Sequence, residues 1–329
     1  MRIESRTTRD VLLGLCVMLL SAASATAWPG HQWEAWAEIT TWSKPDIKTA
    51  QSGKKELIGL LATAEGDIDE IAAWETRRQE YADIISYFLG EPCDELKAYA
   101  RTRPELPEVQ VLGEESFERY DRRHIRIRTE PEDWIPAYLF GPKQLAASRV
   151  PAMICLHQTV HQGKEEPSGI KGKPDLAFAD QLANRGFVCI APDVIGFGER
   201  IPPGADPYHT AKDFYRQNPK WSFMGKMVWD VSRIVDFLRS MSEVDPLMIG
   251  SIGHSHGAYG TIFATAFEPR ISLAIASCGF TTFRTDPDPN RWSHRTALIP
   301  QIGMYLDDVS RIPFDWQHIC SLIAPRPLF

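Results

Sequence analysis

The 329-residue chain predicts an α/β fold, a mostly parallel sheet with helices on both faces and a helical extension at the N-terminus. Two nearly continuous apolar runs, VPAMICLHQ at 150–158 and GFVCIAPD at 186–193, read as strands covered on both faces. Segments with apolar residues at helical spacing lie between and after them, so strand and helix patterns alternate. A hydrophobic content of 43% suffices for a large core.

Residues 1–27 read as an export signal. Arg2, Arg6 and Arg9 precede the apolar run Val11 to Leu20, and Ala25-Thr26-Ala27 matches a cleavage site before Trp28. The expected location is secreted or periplasmic, with no stable membrane insertion after cleavage. Residues 28–109 are rich in helix formers. Asp67 to Glu70 reads as a capping box, and Ile68, Ile71, Trp74, Tyr81, Ile85 and Phe88 follow at helical spacing until Gly90 and Pro92.

The pattern changes near residue 110, where the main domain, 110–329, is expected to begin. HIRIRTE at 124–130 alternates with period two and WIPAYLFGP follows at 134–142, which predicts an antiparallel pair. Leu176, Phe178, Ala179 and Leu182 then mark a helix that stops at Gly186, completing a βαβ unit. Residues 226–241 predict a helix, 247–253 a strand, the segment after His256 a helix, and 271–280 a strand. Pro287, Asp288, Pro289 and Asn290 mark an irregular insertion over 281–312. PFDWQHICSLI reads as a helix and RPLF as the first residues of another strand.

Charge and cysteine usage narrow the function classes. A net charge of −7 and a pI near 5.8 argue against a nucleic-acid binder, which needs clustered Lys and Arg. Of six cysteines, none forms a C-x-x-C pair, so neither a disulfide framework nor a zinc site is expected, and no cofactor is implied. Cys155, Cys189 and Cys278 lie in apolar runs and are expected to be buried.

Gly253-His-Ser-His-Gly257 matches G-x-S-x-G at the point where an apolar strand turns into a helix, the setting of a nucleophile elbow. Glycines must flank such a turn because strand and helix nearly collide there. Ser255 is therefore the candidate nucleophile. Its neighbours His254 and His256 should project away from it, so neither is expected to be its base. The backbone N–H of His256 is one oxyanion donor, and that of Gln158 or Thr159, in the loop LHQTV, is the candidate for the second. His157, Thr159, His254 and Arg200 are candidates for lining the substrate pocket. His157 and His161 are four residues apart, but at a strand end and in a loop, where that spacing does not make a metal pair.

With LHQ after one strand, APDVIGFGER after the next, WDVSRIVDFL on the following helix and then GHSHG, the chain resembles the α/β-hydrolase superfamily, in the branch of dienelactone hydrolases and acetyl xylan esterases. Dienelactone hydrolases carry cysteine where Ser255 stands, which favours an esterase. Many members have glycine where this chain has Gln158. The resemblance implies a chain order of nucleophile, acid, histidine, with acid and histidine following the last two strands. On that order the residues to Phe329 stop before both, with the last strand or strands missing. His294, His318 and Asp286 are weaker substitutes. The implied function is a secreted serine hydrolase that cleaves carboxylic esters, carbohydrate esters among them, through an acyl-enzyme on Ser255. The alternatives are a serine peptidase on the same fold and a non-catalytic hydrolase-like protein.

Overall fold

The computed structural model describes residues 32–40, 42–45, 47, 59–63, 66–102 and 106–329. The export-signal reading of residues 1–27 falls outside them. Three helices come first: α1 (Trp33–Thr40), α2 (Ile71–Leu89) and α3 (Asp94–Thr102). A seven-stranded sheet follows, formed by β1 (Val109–Ser116), β2 (Tyr120–Arg128), β3 (Trp134–Pro142), β4 (Val150–Leu156), β5 (Val188–Pro192), β6 (Val244–His254) and β7 (Leu273–Ser277). Its spatial order is β1-β2-β3-β5-β4-β6-β7. The first four neighbours pair antiparallel and the block β5-β4-β6-β7 is parallel. The chain has the expected α/β-hydrolase architecture, with an antiparallel edge added to a parallel core.

Helices α4 (Phe178–Ala183), α5 (Ala211–Gln217), α6 (Phe223–Ser240), α7 (His256–Phe267) and α8 (Trp316–Ile323) complete the regular structure. Ile125, Ile127, Ile135 and Ala137 pack with Val231, Ile234, Val235 and Leu238 of α6. Phe140, Met153, Cys155 and Cys189 pack with Ala179 and Ala183 of α4 in a separate cluster. Strands β3, β4 and β5 thus feed two cores through their period-two alternation, which is why β4 and β5 are apolar throughout.

The N-terminal helices share the third and largest core. Trp36, Tyr81, Ile85 and Phe88 are buried with Tyr215, Phe263, Phe314 and Trp316. Ser222 fastens them at one point: its hydroxyl donates to Leu89 O at 2.8 Å while accepting from Gly225 N at 3.0 Å, capping α6.

Several expectations are corrected. No capping box starts α2: Ile68 N donates to Leu61 O, and Ala62 bridges Asp67, so this segment is extended and the helix begins at Ile71. Ile71 is 80% exposed, and burial runs instead along Tyr81, Ile85, Phe88 and Leu89. Strand β1 and helix α5 carry no strong periodicity, so the sequence pattern does not predict them. Cys278 is exposed, because β7 ends at Ser277 and the chain turns with a φ of 53° at the cysteine.

The insertion is a series of 3-10 turns held by Arg284, which bonds Asp315 at 3.0 Å and the carbonyls of Ser310 and Ile312. Residues 327–329 run parallel to β7: Ala274 N donates to Pro327 O, Phe329 N to Ala274 O, and Ala276 N to Phe329 O. Where the sequence suggests the first residues of a strand, RPLF forms one isolated parallel bridge, Leu328 to Ala274.

One buried ionic cluster joins the antiparallel edge to α6. Lys226 pairs with Glu130 at 2.7 Å, Asp133 at 2.6 Å and Asp230, and Arg200 pairs with Asp133 at 2.7 Å and Asp230 at 2.6 Å. Burial works against the charged forms, but the opposite charges outweigh it, holding Asp133 below and Lys226 above their usual ranges. Glu130 goes the other way, its carboxyl raised by burial. Removing Lys226 strands carboxylates in a dry site. Lys226→Met is expected to lower unfolding stability by about 3–5 kcal/mol at neutral pH. Urea denaturation measures this, and a loss below about 1 kcal/mol, the value of an exposed pair, refutes the account.

Candidate active site

Ser255 stands alone between β6 and α7, with φ 52° and ψ −111°. A non-glycine residue in that region is strained, and the surrounding backbone leaves it no alternative. Its N–H donates to Ser277 O at 2.8 Å, and Ala258 N and Tyr259 N bond back to its carbonyl. The flanking glycines are sterically required. A Cβ on Gly253 would lie 2.1 Å from Gly257 O, and one on Gly257 2.0 Å from Leu156 O. The N-terminus of α7 therefore sits against the end of β4, and its dipole favours negative charge beside Ser255.

Ser255 opens into a cavity of about 240 Å³ lined by Thr159, Tyr208, His256, Tyr259, Arg291, Trp292, Arg295, Thr296 and Leu298. Thr159 and His256 come from the two segments expected to supply oxyanion donors. The backbone N–H of His256 finds no backbone acceptor among the described residues. Gln158 does not line this cavity; its side-chain amide turns to Glu166 at 2.8 Å.

The other predicted residues are spread elsewhere. His157 is fully buried, and its Nε2 accepts from Val194 N at 3.1 Å while Nδ1 faces Gln158 O at 2.6 Å. It therefore carries its proton on Nδ1 and ties β4 to the loop after β5, buried and outside the lining of the Ser255 cavity. His254 faces Ser277 Oγ at 3.0 Å and the Cys278 thiol. Arg200 lies in a different cavity, of about 920 Å³, whose wall also holds Trp134 and the ionic cluster. In that cluster Glu130, Asp133 and Asp230 bring carboxylate oxygens within 4.8 Å of one another, but Lys226 and Arg200 already fill the space a cation would need.

No histidine ring hydrogen-bonds Ser255 among the described residues. His256 turns its ring into a cage of His157, Phe197, Tyr208 and Tyr259. His294 stacks on Trp33 at 4.4 Å, and His318 accepts from Asp315 N at 2.8 Å in the cap of α8. Asp286 accepts from Arg291 at 2.5 Å, so it meets a guanidinium and no imidazole.

Seven cavity residues are not predicted by the sequence pattern: Tyr208, Tyr259, Arg291, Trp292, Arg295, Thr296 and Leu298. Tyr259 follows Ser255 by one helical turn and donates to Gly279 O at 2.8 Å. A Cβ on Gly279 would approach Ser255 Cα to 2.8 Å, so this bond also braces the elbow. Arg291 and Arg295 pair at 2.5 Å with Asp286 and Asp288. With Tyr208 and Trp292 they reach the cavity from irregular segments, where only tertiary contacts define direction. The i, i+4 spacing of the two arginines was the one available signal.

Comparison with known proteins agrees with this fold. Residues 209–329 match the model of the family described as glucuronyl esterase, fungi. YtaP of Bacillus subtilis, described as a candidate hydrolase, is 26% identical over 248 residues, 70% of this chain and 77% of its own. The 4-O-methyl-glucuronoyl methylesterase of Phanerochaete carnosa is 32% identical over 133 residues, 35% of this chain and 33% of its own. The matched segment thus spans about a third of that relative. Among solved structures, the glucuronoyl esterase of Solibacter usitatus superposes with a TM-score of 0.60 at 19% identity, covering 85% of this chain and 80% of that one. At this identity the likeness establishes the fold.

Burial sets the protonation of two histidines. It pushes His256 down to about 3, with His157 nearby adding to the effect, and His318 down to about 4. In an unfolded chain both protonate near pH 6.5. The unfolded state binds more protons below that pH, so their contribution is complete above about pH 6.5 and is lost on acidification toward the folded values. Each should cost about 2 kcal/mol by about pH 5. Urea midpoints across that range should fall for the wild type and fall less for His318→Gln. Equal slopes would exclude His318 as a source.

Proposed function

We propose that this chain, a carboxylic-ester hydrolase of the α/β-hydrolase superfamily, uses Ser255 as its nucleophile on carbohydrate esters, and on esters of a sugar acid in particular. The observation that carries the reading is the strained Ser255 at the strand-to-helix junction, facing a cavity walled by α7, the β4 loop and the insertion.

The Ser255 oxygen attacks the acyl carbon, and negative charge gathers on the former carbonyl oxygen. Backbone N–H groups of His256 and of the Gln158–Thr159 segment stabilise that charge, aided by the helix dipole. The C–O bond to the alcohol breaks, the Ser255 proton ends on the departing alkoxide, and water then releases the acid. Arg291 and Arg295 on the cavity wall favour an acyl group rich in oxygen, and an acid product, over a bare acetyl group. The names of the matched methylesterases support the same choice. Among the described residues no imidazole–carboxylate pair stands beside Ser255.

A fluorophosphonate should label wild-type protein at Ser255, and Ser255→Ala should abolish the label. Labelling that survives in the variant would place the nucleophile elsewhere. With a methyl ester of glucuronic acid and p-nitrophenyl acetate compared at equal concentration, the sugar-acid ester should acylate Ser255 faster; a preference for the acetate would favour the acetyl-ester reading. We also place the reaction outside the cytoplasm, on the export signal at residues 1–27. N-terminal sequencing of protein recovered from the cell exterior should begin at Trp28, and a chain retained inside with Met1 intact would refute it.

A further inference from the structure

We propose that the Tyr208 hydroxyl donates a hydrogen bond to the reacting carbonyl oxygen, as a third member of the oxyanion hole; this rests on Ser255 being the nucleophile. Tyr208 lies between β5 and α5, holds a φ of 64°, and is fully buried. Its N–H donates to Gly196 O at 2.9 Å, and its ring is wedged between Phe197 at 5.1 Å and Phe223 at 6.2 Å. This packing locks the phenol in one direction, against the Ser255 cavity, which it lines.

The hydroxyl at its tip meets no partner in full hydrogen-bond geometry among the described residues; the Thr159 hydroxyl, on the loop that faces Ser255, lies within reach as a donor to the phenol oxygen, which leaves the Tyr208 proton without an acceptor. The other phenol of the cavity, Tyr259, already donates its proton to Gly279 O, while Arg291 and Arg295 each pair with a carboxylate through one terminal nitrogen and keep further N–H groups for the rest of the acyl group. A buried donor without an acceptor, on a backbone held in the left-handed region, is unfavourable twice over. Such an arrangement is what a site preorganised for an incoming oxygen looks like, since the donor needs no reorientation when charge develops. Burial raises the phenol's pKa, so it remains a donor throughout the pH range of ester cleavage.

Tyr208→Phe removes the oxygen and keeps the ring. The acylation of Ser255 is followed by nitrophenolate release and intact mass, with p-nitrophenyl acetate and with its thiono analogue, whose sulfur is a weak hydrogen-bond acceptor. With the oxygen ester, the acylation rate constant should fall about 10²–10³-fold while the half-saturating concentration stays within about threefold. The wild-type preference for the oxygen ester over the thiono ester should shrink correspondingly, and the thermal midpoint should hold. An unchanged rate, an equal fall for both esters, or a loss confined to the half-saturating concentration would overturn the assignment. A wild-type chain that is never acylated at Ser255 would overturn the nucleophile reading and this one with it.

Discussion

Everything about this site depends on a backbone collision that glycine averts. Gly257 brings the first turn of α7 against the carbonyl of Leu156, with no room for a single carbon between them. That contact sets how far the helix N-terminus lies from the end of β4. It thereby sets the distance between the His256 amide and the Thr159 loop, the two sources of oxyanion donors. Gly253 and Gly279 close the same junction from the strand side, and the strain at Ser255 is the local result.

Around this rigid centre the cavity is assembled from less regular material. Tyr208 arrives on a loop held by Gly196, Arg291 and Arg295 on an insertion of 3-10 turns anchored by Arg284 and Asp315. Neither segment has periodic apolar residues of its own, and both borrow order from the large aromatic core. The N-terminal helices contribute to that core through Trp36, Tyr81 and Phe88. The extension is thus part of the framework behind the site, joined to α6 through Ser222 and Leu89.

The ionic cluster of Lys226, Arg200, Glu130, Asp133 and Asp230 shows how a sequence reading can place a residue in the wrong role. Arg200 follows β5 closely enough to suggest the rim of the Ser255 pocket. The guanidinium instead pairs with two carboxylates, Asp133 in the turn between β2 and β3 and Asp230 on α6. Its burial is tolerable only because several opposite charges share the space, and no local pattern encodes those partners.

By itself the sequence determined the α/β class, the antiparallel pair at 124–142, the βαβ order and the elbow at Ser255, because each rests on local periodicity or on glycines a few residues apart. The alternation of apolar residues in VPAMICLHQ and the spacing in GHSHG are properties of neighbours along the chain. Tertiary structure alone decided that His157 ties the end of β4 to the loop after β5, that Cys278 is exposed, that Thr159 and not Gln158 lines the cavity, and that Tyr208 lines it too. Those outcomes depend on which way an irregular backbone turns, and that is settled by packing against residues distant in sequence.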